Sequence, residues 1–152
     1  MNIQVVSRRR KLSVARLPNG ALLAVGGRPP VGKLIPDLGF SVLVLMADSY
    51  QPGSRGARHF PGVTVVHAPI PDDKPTSSQV RTINEVGDYV AASLRARKNV
   101  AVTCEMGLNR SAIVAAAALV KLGASPSEAV RTLRSMRGGF ALNNRHFVRL
   151  LG

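Results

Sequence analysis

Residues 99–120, NVAVTCEMGLNRSAIVAAAALV, decide how the rest of the chain is read. The opening NVAVTC is a short apolar β-branched run that ends in the only cysteine of the chain, which predicts a buried strand over 99–104. The Ala/Val/Leu-rich run that follows predicts a helix over 111–122, too apolar to lie on a surface. A loop between a strand and a helix N-terminus turns backbone N–H groups inward, and the helix dipole adds positive potential there. Gly107 frees the middle of that turn from Cβ sterics. A thiol in such a nest is favoured as its thiolate, the nucleophilic form. Arg110 adds a planar fork matched to two phosphate oxygens. A lone cysteine at a strand end is often just a small buried side chain. Cys104, Gly107, Arg110 and Ser111 together make a nucleophile facing an anion cradle.

Outward from this unit, the pattern alternates strands with helices. Strands are expected over 21–27, 40–47 and 63–70, the second apolar enough to be buried on both faces. Pro29, Pro30 and Pro36 keep any helix in 28–39 short. Residues 48–62 and 71–78 read as loops. Apolar residues at Val80, Ile83, Val86, Val90 and Leu94 predict an amphipathic helix over 79–97. Ser125, Pro126 and Glu128 mark the start of another helix with a capping box, running to Arg137 before Gly138-Gly139. A last short helix is expected over 144–151. The order predicts an α/β fold with a central, mainly parallel sheet flanked by helices. Ligands of such sheets bind beyond the carboxyl ends of the strands, where Cys104 sits.

Composition narrows the chemistry. The 152 residues suit one domain. No apolar run is long enough to span a bilayer, so stable membrane insertion is not expected, and the basic N-terminus lacks the pattern of a signal peptide. One cysteine and three scattered histidines make a poor metal set, so neither a metal nor a cofactor is expected, and a reducing, cytoplasmic setting follows. The net charge of +13, carried by 16 Arg and five Lys, favours an anionic partner. Scarce aromatics argue against a base-stacking platform. The run Arg8-Arg9-Arg10-Lys11 reads as a solvated terminal cluster.

The spacing Cys104-Glu-Met-Gly-Leu-Asn-Arg110-Ser111 resembles the signature of the cysteine-dependent protein tyrosine phosphatase superfamily. Its late position, the segment VVHAPIPDD (65–73) and the closing ALNNRHFVRLL (141–151) resemble the small dual-specificity branch. The resemblance covers roughly residues 18–151, and the chain is read as a single phosphatase domain over 1–152, with 1–17 a basic N-terminal segment that is partly flexible. The resemblance implies that Cys104 attacks phosphorus and forms a cysteinyl-phosphate. Arg110 and the backbone of Glu105, Met106, Gly107, Leu108 and Asn109 would hold the phosphate oxygens, and Ser111 would stabilise the departing thiolate. Asp72, 32 residues before Cys104, matches the placement of the general acid, with Asp73 as the alternative. One position departs from the family pattern: Thr103 stands where a histidine usually precedes the cysteine.

The expected substrate is a phosphorylated protein, carrying phosphotyrosine and in addition phosphoserine or phosphothreonine, because 105–109 contains no Lys or Arg to meet extra phosphates. An RNA 5′-phosphatase of the same superfamily and a non-catalytic phosphate- or nucleic-acid-binding module are the rival readings. His67 reads as a packed core histidine and His146 as a surface residue. Arg131, Arg134 and Arg137 form either a solvated face or a basic rim. Tyr50 and Phe60 either flank the pocket or anchor their loop.

Overall fold

The computed structural model describes residues 1–47 and 59–152. Six strands form one sheet: β1 (Gln4–Arg8), β2 (Leu12–Arg16), β3 (Leu22–Gly26), β4 (Val42–Leu45), β5 (Thr64–His67) and β6 (Val100–Thr103), in the order β1-β2-β3-β6-β4-β5. The run β3-β6-β4-β5 is parallel and β1-β2-β3 antiparallel. Among the described residues the helices are α1 (Leu34–Asp37), α2 (Ser77–Arg95), α3 (Arg110–Lys121), α4 (Pro126–Arg137) and α5 (Arg145–Val148), with a 3-10 turn at Arg149–Leu151.

Strands β4 and β6 are buried at every position, as a strand covered on both faces requires. The pleat sorts their side chains. Val42, Val44, Val100 and Val102 join the core under α2, α3 and α4, while Leu43, Leu45 and Ala101 face Ile35 of α1, Phe40 and Phe60 on the other side. Phe60 is thus an anchor of that second core and takes no part in the site, and Tyr50 lies outside the described residues. Helix α3 is buried from Ser111 to Leu119. Its alanines let α2 come close: a Cβ on Gly87 would lie 3.2 Å from Ala117 Cβ.

Strands β1 and β2 are absent from the sequence reading, which leaves 1–17 as a partly flexible basic segment. The structure instead pairs these residues as a hairpin whose turn is Arg9-Arg10-Lys11. The alternation is present, with Ser13 and Ala15 buried between exposed or half-buried neighbours. Small inward side chains and a register shift between Val5 and Ser7 hide it. His67 is also corrected: β5 is an edge strand, and the ring is exposed at its end, 3.3 Å from the Ala47 carbonyl oxygen.

The α4 capping box forms as expected. Ser125 Oγ accepts from Glu128 N at 3.1 Å, and Glu128 Oε1 accepts from Ser125 N at 3.4 Å. The N-terminal ammonium of Met1, 3.1 Å from Glu128, and the Ser125 groups hold that carboxyl below the ordinary glutamate range. A lowered folded-state value means this contribution is complete above the ordinary glutamate range and is lost as pH falls through the lowered one. Ser125→Ala is expected to cost about 1 kcal/mol in chemical denaturation. Glu128→Gln is expected to make stability less steeply dependent on pH on the acid side. An unaltered acid limb in the Gln variant would remove the carboxylate from this role.

Candidate active site

The site grows out of the carboxyl end of β6. Thr103 is fully buried, and its Oγ1 donates to Val44 O at 3.0 Å, fastening β6 to β4. Cys104 N donates to Gly26 O at 3.1 Å, extending the β3–β6 ladder by one rung, and the thiol is 2% exposed. Helix α3 begins six residues later at Arg110.

Between these points four consecutive carbonyls turn outward, and each finds a donor. Glu105 O accepts from Arg28 N at 3.1 Å and Leu108 O from Leu142 N at 2.8 Å. Met106 O and Gly107 O both accept from the Arg137 guanidinium, at 3.2 Å and 3.0 Å. All peptide bonds among the described residues are trans. A trans peptide points its C=O and N–H opposite ways, so the amides of residues 106–109 face the inside of the loop. Gly107, at φ +71°, makes this turn possible, and its N–H donates to Cys104 Sγ at 3.2 Å. Ser111 Oγ lies 3.1 Å from the same sulfur. The result is a ring of inward donors at the N-terminus of a twelve-residue helix.

The Asp-bearing segment closes over this loop. Arg110 Nη1 donates to Ile70 O at 3.3 Å. Asp72 accepts at both oxygens, from Asn109 Nδ2 at 3.0 Å and Asn144 Nδ2 at 2.9 Å. Asp73 instead turns to its neighbour's backbone, accepting from Lys74 N at 2.8 Å. Asn109 occupies the N-cap position of α3 without capping it. Its side chain is committed to Asp72, to Asn143 Oδ1 at 2.7 Å and to Asn144 N at 3.0 Å. Cys104, Arg110, Ser111 and Asp72, singled out from the sequence, therefore come together around one loop.

The sequence did not single out the supports. Arg137, grouped with Arg131 and Arg134 as a face or rim, is neither: its half-buried guanidinium props the loop from below. Burial lowers its pKa from the ordinary arginine value, and the charge of Cys104 nearby pushes it back up. Arg134 donates to Ala141 O and Leu142 O and holds the turn that presents Asn143 and Asn144. An i, i+3 arginine row carries no signal for such work, because the acceptors are backbone carbonyls, which side-chain spacing does not reveal.

Among the described residues no group of His, Cys, Asp and Glu could hold a metal ion, and no helix is long and apolar enough to cross a membrane. Comparison with known proteins gives the arrangement its context. Residues 37–152 match the family "Dual specificity phosphatase, catalytic domain". The structure of human DUSP28 is similar at a TM-score of 0.75 with 25% identity, covering 95% of this chain and 93% of that one. A mutant form of Tk-PTP is similar at 0.70 with 26% identity, covering 93% and 91%. The human tyrosine phosphatase-like serine/threonine/tyrosine-interacting protein, at 0.67 and 19% identity over 94% of each chain, shares the fold. No curated protein sequence matches. With the family match spanning well over half of the chain, and with a cysteine held in an amide-lined loop at the head of α3, this chain belongs to the dual specificity phosphatase family and is a cysteine-dependent phosphatase.

Proposed function

We propose that the chain hydrolyses phosphomonoesters on proteins, phosphotyrosine and in addition phosphoserine and phosphothreonine, through a cysteinyl-phosphate on Cys104. The observation that carries this reading is the set of four outward carbonyls, which leaves the amides of 106–109 aimed at the space beside the sulfur. The Cys104 thiolate attacks phosphorus as the P–O bond breaks, and the leaving oxygen takes a proton from Asp72. The Asp72 carboxylate then accepts a proton from water as that water attacks phosphorus. The S–P bond breaks, and Ser111 Oγ–H donates to the released thiolate. Arg110 and the loop amides hold the equatorial oxygens, where charge grows in the transition state.

The choice of Asp72 over Asp73 is supported by their partners, since two asparagine amides fix the Asp72 carboxylate against the loop while that of Asp73 accepts from the Lys74 amide. Asp72→Asn is expected to slow turnover by about 10²-fold for a poor alkyl leaving group and far less for a nitrophenolate, in the range for general acid catalysis. The same pattern from Asp73→Asn in its place would reassign the acid.

A protein substrate is favoured over a multiply phosphorylated lipid because residues 105–109 supply no cation for further phosphates. The single cysteine, required as a free thiol, fits a reducing, cytoplasmic compartment. A panel of phosphotyrosine and phosphothreonine peptides, a phosphoinositide and a 5′-phosphorylated RNA tests the substrate class. Preference for either of the last two would replace the protein reading.

A further inference from the structure

We infer that the cleft between the β1–β2 turn and the end of α4 is a second anion subsite, receiving acidic side chains that flank the phosphorylated residue of a polypeptide substrate. This rests on the phosphoprotein reading above. The cleft holds about 830 Å³, within the usual range of ligand sites, and shares Glu105, Met106 and Leu108 with the 104–110 loop. Its place follows from the hairpin. Gly27 N donates to Lys11 O at 3.2 Å, so the turn lies at the carboxyl end of β3, where Gly26 O receives Cys104 N. Arg137 locks the two parts together, donating to Arg9 O at 3.3 Å and Ser13 Oγ at 3.1 Å as well as to the loop.

Six basic side chains line the cleft against one acidic one. Three of the six are occupied. Arg8 donates to Ser135 O and Oγ, Arg137 to the loop, and Arg28 pairs with Glu105 at 3.2 Å. Arg9, Arg10 and Lys11 are exposed, and among the described residues their side chains have no hydrogen bond or ion pair. These three uncompensated cations stand beside a floor that includes Met106 and Met136, which suits carboxylates carried on aliphatic stems. The lining has no aromatic side chain on which a base could stack, which favours a polypeptide over RNA.

The test compares kcat/KM for two phosphotyrosine peptides that differ only in glutamates or glutamines around the phosphoresidue. A small aryl phosphate, which has no flank, is the reference, and a 5′-phosphorylated oligoribonucleotide is the competitor. The acidic peptide should lead the neutral one by about tenfold, the sum of two or three surface ion pairs, and through KM. The lead should vanish in about 0.5 M salt and in Arg9→Ala/Arg10→Ala/Lys11→Ala, relative to the aryl phosphate. Arg10→Glu/Lys11→Glu, which takes the exposed turn from three positive charges to a net negative one, should invert the preference and serves if the triple alanine variant does not fold. Equal rates for the two peptides, a lead that survives these changes, or stronger, turn-dependent use of the oligoribonucleotide overturns the subsite. Loss of all turnover, aryl phosphate included, would instead bring down the phosphatase mechanism and the subsite with it.

Discussion

Cys104→Ser is expected to abolish aryl-phosphate hydrolysis, by on the order of 10⁴-fold or more, with little change in thermal unfolding. The sulfur sits 3.1 Å from Ser111 Oγ and 3.2 Å from the Gly107 amide, in a nest that stabilises a negative charge only if the side chain ionises. A serine hydroxyl keeps its proton at neutral pH, so the ring of amides would have no anion to present to phosphorus. The smaller oxygen leaves the buried surroundings almost unchanged, hence the retained fold. Steady-state rates with a nitrophenyl phosphate check this, together with a melting curve. Turnover in the serine variant within tenfold of the native rate would show that another group attacks phosphorus.

Gly107→Ala is expected to lower kcat by about 10³-fold, although the thiol, Arg110 and Asp72 are untouched. Two costs combine. At φ +71° an L-residue is strained by about 1–2 kcal/mol. In addition, the new Cβ would stand 2.5 Å from the Gly26 carbonyl carbon and 2.8 Å from its oxygen. Gly26 ends β3 and is paired in the sheet, so the loop must move instead of the strand. Movement takes the Gly107 N–H from the sulfur and turns its neighbours away from the oxygens they should hold. Loss of one such donor alone costs about 10²–10³. Gly20→Ala is the control: it shares the positive φ but has open space around its Cβ, and it lies in the turn between β2 and β3. Its activity should stay within about twofold. Equal losses in the two variants would assign the effect to backbone strain rather than to the loop's position against β3.

The sequence made the centre of the molecule legible and its supports illegible, for one physical reason. Val100, Val102, Ile113 and Leu119 announce strand and helix through local periodicity, and the Cys104 to Ser111 spacing is local too. Ser125 with Glu128 is a local cap, and it forms. The contacts that hold the loop open join residues far apart in the chain. Arg137 to Gly107 O spans 30 residues, Asn144 to Asp72 spans 72, and Arg137 to Arg9 O spans 128. Such partners leave no periodic trace. The first hairpin was hidden because its buried positions include Ser13 and Ala15 rather than larger β-formers. Thr103, which breaks the family pattern, proves to be a tie between two strands: its hydroxyl reaches Val44 O.

The match to the family description begins at residue 37, yet much of what shapes the active loop lies before it. Gly26 receives the Cys104 amide, Arg28 takes up Glu105, and Arg9 and Ser13 hold Arg137 in place beneath Gly107. The portion that the family description matches is therefore smaller than the portion that works as one mechanical unit. A fragment cut at the family boundary would carry the whole signature and three of the four parallel strands, but would lack the wall against which the loop is set. Homologues that differ in their first thirty residues can thus differ in phosphate binding while their signatures read alike.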